Sequence, residues 1–185
     1  PTTSLASGTT RTLTATLKDS NGNTLTTSGT TVTFAKSGSG AGTVSGLGTA
    51  LTTSGVATKV VTGVLAGDLD ATAAITGPIT SSALAMTIVP GTVSQLALTG
   101  ATSDLTSGSS RTLTATLQDA AGNTVPTTGT TVTYAQTAGA GTVTGLATAN
   151  TSGGVATLDV TGNAVGSVTM RASITTWSTG LSSCC

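Results

Sequence analysis

Asp19, Asn21 and Asn23 stand at alternate positions in KDSNGNT (residues 18 to 24), the spacing with which a calcium loop opens. A loop of the helix-loop-helix type also needs Gly at its sixth position and a bidentate Glu at its twelfth, and Thr24 and Thr30 occupy those places. The chain writes the stretch twice. RTLTATLKDSNGNT at 11 to 24 returns as RTLTATLQDAAGNT at 111 to 124, with Ala121 in place of the middle ligand. Asp, Gly and Asn survive in both copies. Asp bonds its own backbone, and Gly and Asn accept positive φ, so the shared residues predict a tight turn rather than a metal site.

The rest of the chemical inventory is sparse. The chain has no His, and all six acidic residues are Asp. Proton transfer near neutral pH therefore lacks its usual carriers, no base is spaced to activate a Ser or Thr, and the chain is not expected to be an enzyme. Asp68 and Asp70 form the one acidic pair, placed on a turn entering a strand. They could help to hold calcium near a domain junction, but the second copy has Ser167 and Thr169 there, and a solvated turn is the expectation. Phe34 and Tyr134 occupy equivalent positions; a sugar platform is conceivable, but each is in phase with an inward Val and is expected in the core. Trp177 has no counterpart in the first copy and is either a partner contact or a packed strand end. Asn150, Thr151 and Ser152 make a glycosylation sequon. Cys184 and Cys185 are adjacent, so they are free, bonded to another chain or foreign to the native protein. No residue receives a catalytic, cofactor-binding or metal-binding assignment, and no cofactor is expected.

Charged residues make up 6% of the 185, against about 25% in an ordinary soluble domain, and the net charge is zero. With no basic patch and only one Phe, one Tyr and one Trp, nucleic acid is not an expected partner. No apolar run reaches the roughly 18 residues that would span a membrane. Abundant threonine supplies hydroxyls to water while keeping a β-branched carbon. The chain begins at Pro1 without Met, which reads as a processed product or an excised piece.

The elements that must position these residues follow from the repeat. LASGTTRTLTATL at 5 to 17 matches LTSGSSRTLTATL at 105 to 117, and GTTVTF at 29 to 34 matches GTTVTY at 129 to 134, both at an offset of 100. GAGTVSGL at 40 to 47 matches GAGTVTGL at 139 to 146, so one residue has been lost. A unit of about 100 residues is domain-sized and should bury its own core. Two tandem domains follow, residues 1–90 and 91–185, joined near Pro90, Gly91 and Thr92 by a link with few free torsions. RTLTATL alternates, with Leu13, Ala15 and Leu17 on one face, and predicts a half-buried strand. TTVTFA does the same with Val32 and Phe34 inward. Further strands read at residues 55–62, 69–76, 83–89 and 93–99, bounded by turn residues. The fold class is all-β, an antiparallel sandwich in each repeat. One register stays open: Lys59 aligns with Leu158 and Val60 with Asp159, leaving the buried face of that strand ambiguous.

TLTATLKDSNGNT, then GTTVTF, GAGTVSG, a Gly-Val-Ala-Thr strand and LDATAAIT together resemble the bacterial immunoglobulin-like domains of the invasin and intimin group. The resemblance implies two tandem immunoglobulin-like antiparallel β-sandwiches, extracellular or on the bacterial cell surface. The implied function is a non-catalytic structural module of a surface stalk, adhesin or filament. The alternatives are a carbohydrate- or receptor-binding module, or a phage virion fibre or decoration protein. Implied partners are neighbouring immunoglobulin-like domains or identical subunits, with a host or cell-surface glycan as a further candidate.

The alignment also predicts gaps. Pro1 aligns with Ala101, so the first domain lacks an equivalent of VSQLALT at 93 to 99. Residues 175 to 185 stop within the equivalent of ALAMTIV at 83 to 89, so the last strand of the second domain is incomplete. Either the chain is a window cut from a longer array, or neighbouring chains fill the gaps by strand addition.

Overall fold

The computed structural model describes residues 4–77 and 79–174, and every regular element among them is a strand. The chain divides into two compact units. The first is Pro1–Gly91 together with Asp119–Asn123; the second is Thr92–Gln118 and Thr124–Cys185. The loop Asp119–Asn123 thus groups with the first unit although it lies within the second repeat.

In the first unit the strands are β1 (Leu5–Ala6), β2 (Thr10–Thr16), β3 (Thr31–Ser37), β4 (Val44–Ser45), β5 (Gly48–Leu51), β6 (Val56–Gly63), β7 (Gly67–Ile75) and β8 (Leu84–Val89). One sheet has the order β1-β8-β7-β3-β5 and the other β2-β6-β4. All pairings are antiparallel except that of β1 with β8. Inward side chains of both sheets meet in one core: Leu13, Ala57 and Val61 from one, and Val32, Phe34, Leu69, Met86 and Ile88 from the other. Alternation delivers them, because residues two apart share a strand face.

In the second unit the strands are β9 (Gln95–Thr99), β10 (Ser110–Gln118), β11 (Thr131–Ala138), β12 (Thr142–Thr144), β13 (Thr148–Asn150), β14 (Val155–Ala164) and β15 (Thr169–Ile174). The sheets run β12-β14-β10-β9 and β13-β11-β15. Leu113, Ala115, Ala156 and Val160 of the first face Val132 and Tyr134 of the second across the core. A four-stranded sheet packed on a sheet formed around the third strand is the immunoglobulin-like arrangement. The second unit shows one sheet of it whole. In the first unit, no described strand pairs with β2 on the side away from β6.

The ambiguous strand is resolved by its register. In β6, Ala57 and Val61 are buried, Lys59 shares their phase, and Val60 is 56% exposed. Lys59 escapes the core by reaching to the Thr49 carbonyl at 3.1 Å. Its counterpart Leu158 packs on the second core, while Asp159, the counterpart of Val60, accepts a hydrogen bond from Thr112 Oγ1 at 2.5 Å.

The repeated glycines mark close backbone approaches. A Cβ on Gly55 would lie 1.5 Å from the Leu25 carbonyl oxygen, and one on its counterpart Gly154 would lie 2.2 Å from that of Val125. Gly55 also has φ +79°, and its N–H donates to Thr27 O while its carbonyl accepts from Leu17 N–H. Gly22, at φ +85°, has open space around the same position. Replacing Gly22 by Ala should therefore cost only the left-handed conformation, about 1 kcal/mol. Gly55→Ala must also displace the Leu25 backbone and should cost at least about twice as much. Urea unfolding of the two variants, with equal losses, would contradict this packing.

Candidate functional site

The stretch that opens like a calcium loop folds as a turn. Asp19 N–H donates to Asn23 O at 2.9 Å, and Gly22 N–H donates to Asp19 O at 3.0 Å. The Asp19 carboxylate is directed inward to its own loop. Oδ1 accepts from the N–H groups of Asn21 and Asn23, both at 2.9 Å, and Oδ2 accepts from Asn23 Nδ2 at 3.0 Å. The Asn23 side chain, then the Asn23 backbone, hold the Asp19 carboxyl below its ordinary range. The side chain of Asn21, the middle candidate ligand, contributes nothing to these bonds, which is why Ala121 serves equally well.

The second copy keeps the turn and adds partners within the first unit, to which its loop belongs. Asp119 is buried. Its Oδ1 accepts from Ala121 and Asn123 N–H, each at 2.9 Å, and its Oδ2 from Asn123 Nδ2 and Gly91 N–H, each at 2.8 Å. Asn123 also donates from Nδ2 to Val64 O at 2.7 Å and accepts Ala66 N–H on Oδ1 at 2.8 Å. Burial raises the Asp119 pKa, but the Asn123 side chain, the Gly91 N–H and the loop amides outweigh it and bring the carboxyl down to about 2.

Asp68 and Asp70 lie inside β7 rather than on a turn before it, and they share its outward face while Leu69 and Ala71 are buried. Asp68 Oδ1 accepts from Thr87 Oγ1 at 2.9 Å. Phe34 and Tyr134 are core residues; the Tyr134 hydroxyl donates to Ala156 O at 2.8 Å, and burial raises its pKa. Neither ring is presented to a sugar. Trp177, Cys184 and Cys185 lie outside the described residues, as does the expected last strand. Among the described residues no three His, Cys, Asp or Glu side chains come together, and no helix is long and apolar enough to cross a membrane.

One duplicated polar feature is hidden from composition and spacing. Thr52 and Thr151 are buried, and each hydroxyl bridges the same two backbone groups. Thr52 Oγ1 donates to Thr27 O at 2.9 Å and accepts Thr30 N–H at 3.0 Å; Thr151 Oγ1 does so with Thr127 O at 2.7 Å and Thr130 N–H at 3.1 Å. Lys36 and Gln136, at equivalent positions, both bind the carbonyl of the Gly-Ala-Gly segment, Gly42 O at 2.9 Å and Gly141 O at 2.7 Å. Only the recurrence of a Thr three residues before the Gly of GVAT hinted at the threonines, in a chain where threonine is everywhere. Among the described residues, the geometry brings together turn-forming and backbone-binding groups.

No family model and no curated protein matches the chain. Among solved structures it is similar to the Escherichia coli adhesin FdeC, at 21% identity over 92% of this chain and 57% of that one, with a TM-score of 0.46. It is also similar to invasin, described as a bacterial integrin-binding protein, at 22% identity over 92% of this chain and 34% of that one, TM-score 0.41. A third is domains 5-6 of the S-layer protein SbsC, at 24% identity over 93% and 86% of the two chains, TM-score 0.33.

Two outcomes follow from the carboxylates. Because both Asp carboxylates are satisfied by protein donors, melting curves in excess chelator and in millimolar calcium should coincide; a shift of several degrees would restore the metal reading. Asp119 titrates lower in the folded chain than the ordinary value near about 4. Its contribution is therefore present above that value and lost as pH falls through about 2. Asp119→Asn should melt lower than the parent at pH 6, with the gap closing as the pH approaches 2. A gap that stays constant would remove Asp119 from the account.

Proposed function

We propose that the chain is a non-catalytic structural module of a bacterial surface stalk, adhesin or extracellular filament. One observation carries the reading: the residues that the repeats share act on the backbone. Asp19 and Asp119 close turns, Gly55 and Gly154 admit neighbouring carbonyls, and Thr52 and Thr151 bridge buried peptide groups. Among the described residues, one place where the repeats differ on the surface is Val60, exposed, against Asp159, whose carboxylate accepts from Thr112. What both repeats preserve is the sandwich itself, which suits a spacer whose work is reach and mechanical continuity. The resemblance of the repeated motifs to invasin- and intimin-type domains supports the placement outside the bacterial cell, and a low net charge suits packing among similar modules.

Pulling the chain by its ends should unfold it in two events, each releasing a contour of very roughly 300 Å, from about 90 residues at about 3.4 Å each. A panel of glycans presented to the same protein should give no saturable binding. Saturable binding to one glycan class, lost on substituting a surface cluster, would favour a binding module instead.

A further inference from the structure

The heptapeptide RTLTATL occurs unchanged at 11 to 17 and 111 to 117, yet the two copies are buried differently. In the second unit β9 runs antiparallel along β10, pairing Leu98 with Ala115 and Leu96 with Leu117. Leu96 and Leu98 pack onto the core, and Ala115 and Leu117 are 0% exposed. In the first unit Ala15 and Leu17 are only half-buried. The strand also stops sooner: β2 ends at Thr16, whereas β10 continues through Gln118, where it is paired with Gln95.

Beside β2 lies a groove of about 740 Å³. It is lined by Leu13, Ala15 and Leu17, by Phe34 and Ala73, and by Ile79 and Leu84, which are 64% and 50% exposed. Leu17 N–H donates to Gly55 O, on the side of β6, so the N–H and C=O groups of Thr14 and Thr16 point the other way, along the open edge.

We propose that this groove is a strand-addition site that takes an extended segment of alternating leucine from a neighbouring repeat. The segment lies antiparallel to β2 in the register that β9 adopts on β10. Its two leucines sit opposite Ala15 and Leu17, closing the core, while its backbone completes a ladder with Thr14 and Thr16. The occupant has the chemistry of Gln95–Thr99: polar, Leu, Ala, Leu, Thr. The face it covers is the one its counterpart covers in the second unit, which specifies both the alternation and the direction. The site holds whether the chain is a spacer or a binding module, so its failure would leave the preceding reading intact.

The test uses the full chain with residues 93–100 copied ahead of Pro1, which makes the encounter intramolecular. The fused chain should stay monomeric and raise the melting temperature of the first unit by at least about 5 °C. The same fusion with both leucines replaced by Asp should melt like the parent. Equal melting of the two fusions would overturn the proposal, because a strand that ignores its leucines does not fill this groove. Oligomers of the unmodified chain that disperse on fusion would overturn the assignment to a separate repeat and place β9 of a second copy in the groove.

Discussion

The structure depends on covering thin sheets made of small side chains. With one Phe, one Tyr and one Trp in 185 residues, the cores are assembled, with Phe34, Met86, Ile88 and Tyr134, mainly from Leu, Val and Ala two apart along each strand. Each such side chain buries little area, so its contribution rests on a neighbouring strand closing over it. RTLTATL shows the dependence directly. The same seven residues bury their alanine and last leucine fully beside β9 and only half without a strand there.

Small side chains also push the burden of precision onto the backbone. Loop segments admit carbonyls to within a distance that only glycine tolerates, as at Gly40 and Gly42 against residues 67 and 68. Peptide groups of the segment before β3 also need partners, and the buried Thr52 hydroxyl supplies them to Thr27 and Thr30. A chain built this way has little side-chain chemistry left over. Several of its described polar side chains are spent on its own main chain, and the proposed reading as a structural module rests on this.

Alternation made β2, β3, β7, β8 and β9, together with β10 and β11, legible in the sequence, because inward apolar residues fall two apart and turn residues bound them. The short strands β4, β5, β12 and β13 were not legible: two to four residues rich in Gly, Thr and Ser carry no period, and pairing alone defines them. The phase of β6 was hidden by a lysine whose stem follows the inward face while its ammonium reaches Thr49. Asp68 and Asp70 suggested a turn by composition, but Leu69 and Ala71 between and after them set the strand. The turn reading of Asp19 was available from the Asp, Gly and Asn common to both copies. The partners of Asp119 at Gly91 and of Asn123 at Val64 and Ala66 were not, since they are joined by folding over long stretches of chain.

The most direct measurement of the uncovered edge is amide hydrogen exchange, residue by residue, in the intact chain. Thr14 and Thr16 present their N–H groups to the open side of β2, whereas Thr114 and Thr116 present theirs to β9 across pairs with Thr99 and Ala97. The account predicts that Thr14 and Thr16 exchange at least about 100-fold faster than Thr114 and Thr116, with Leu13 and Leu113 both protected by their ladders to β6 and β14. Equal protection of the four threonine amides would mean that β2 already has a partner strand, and would contradict the account.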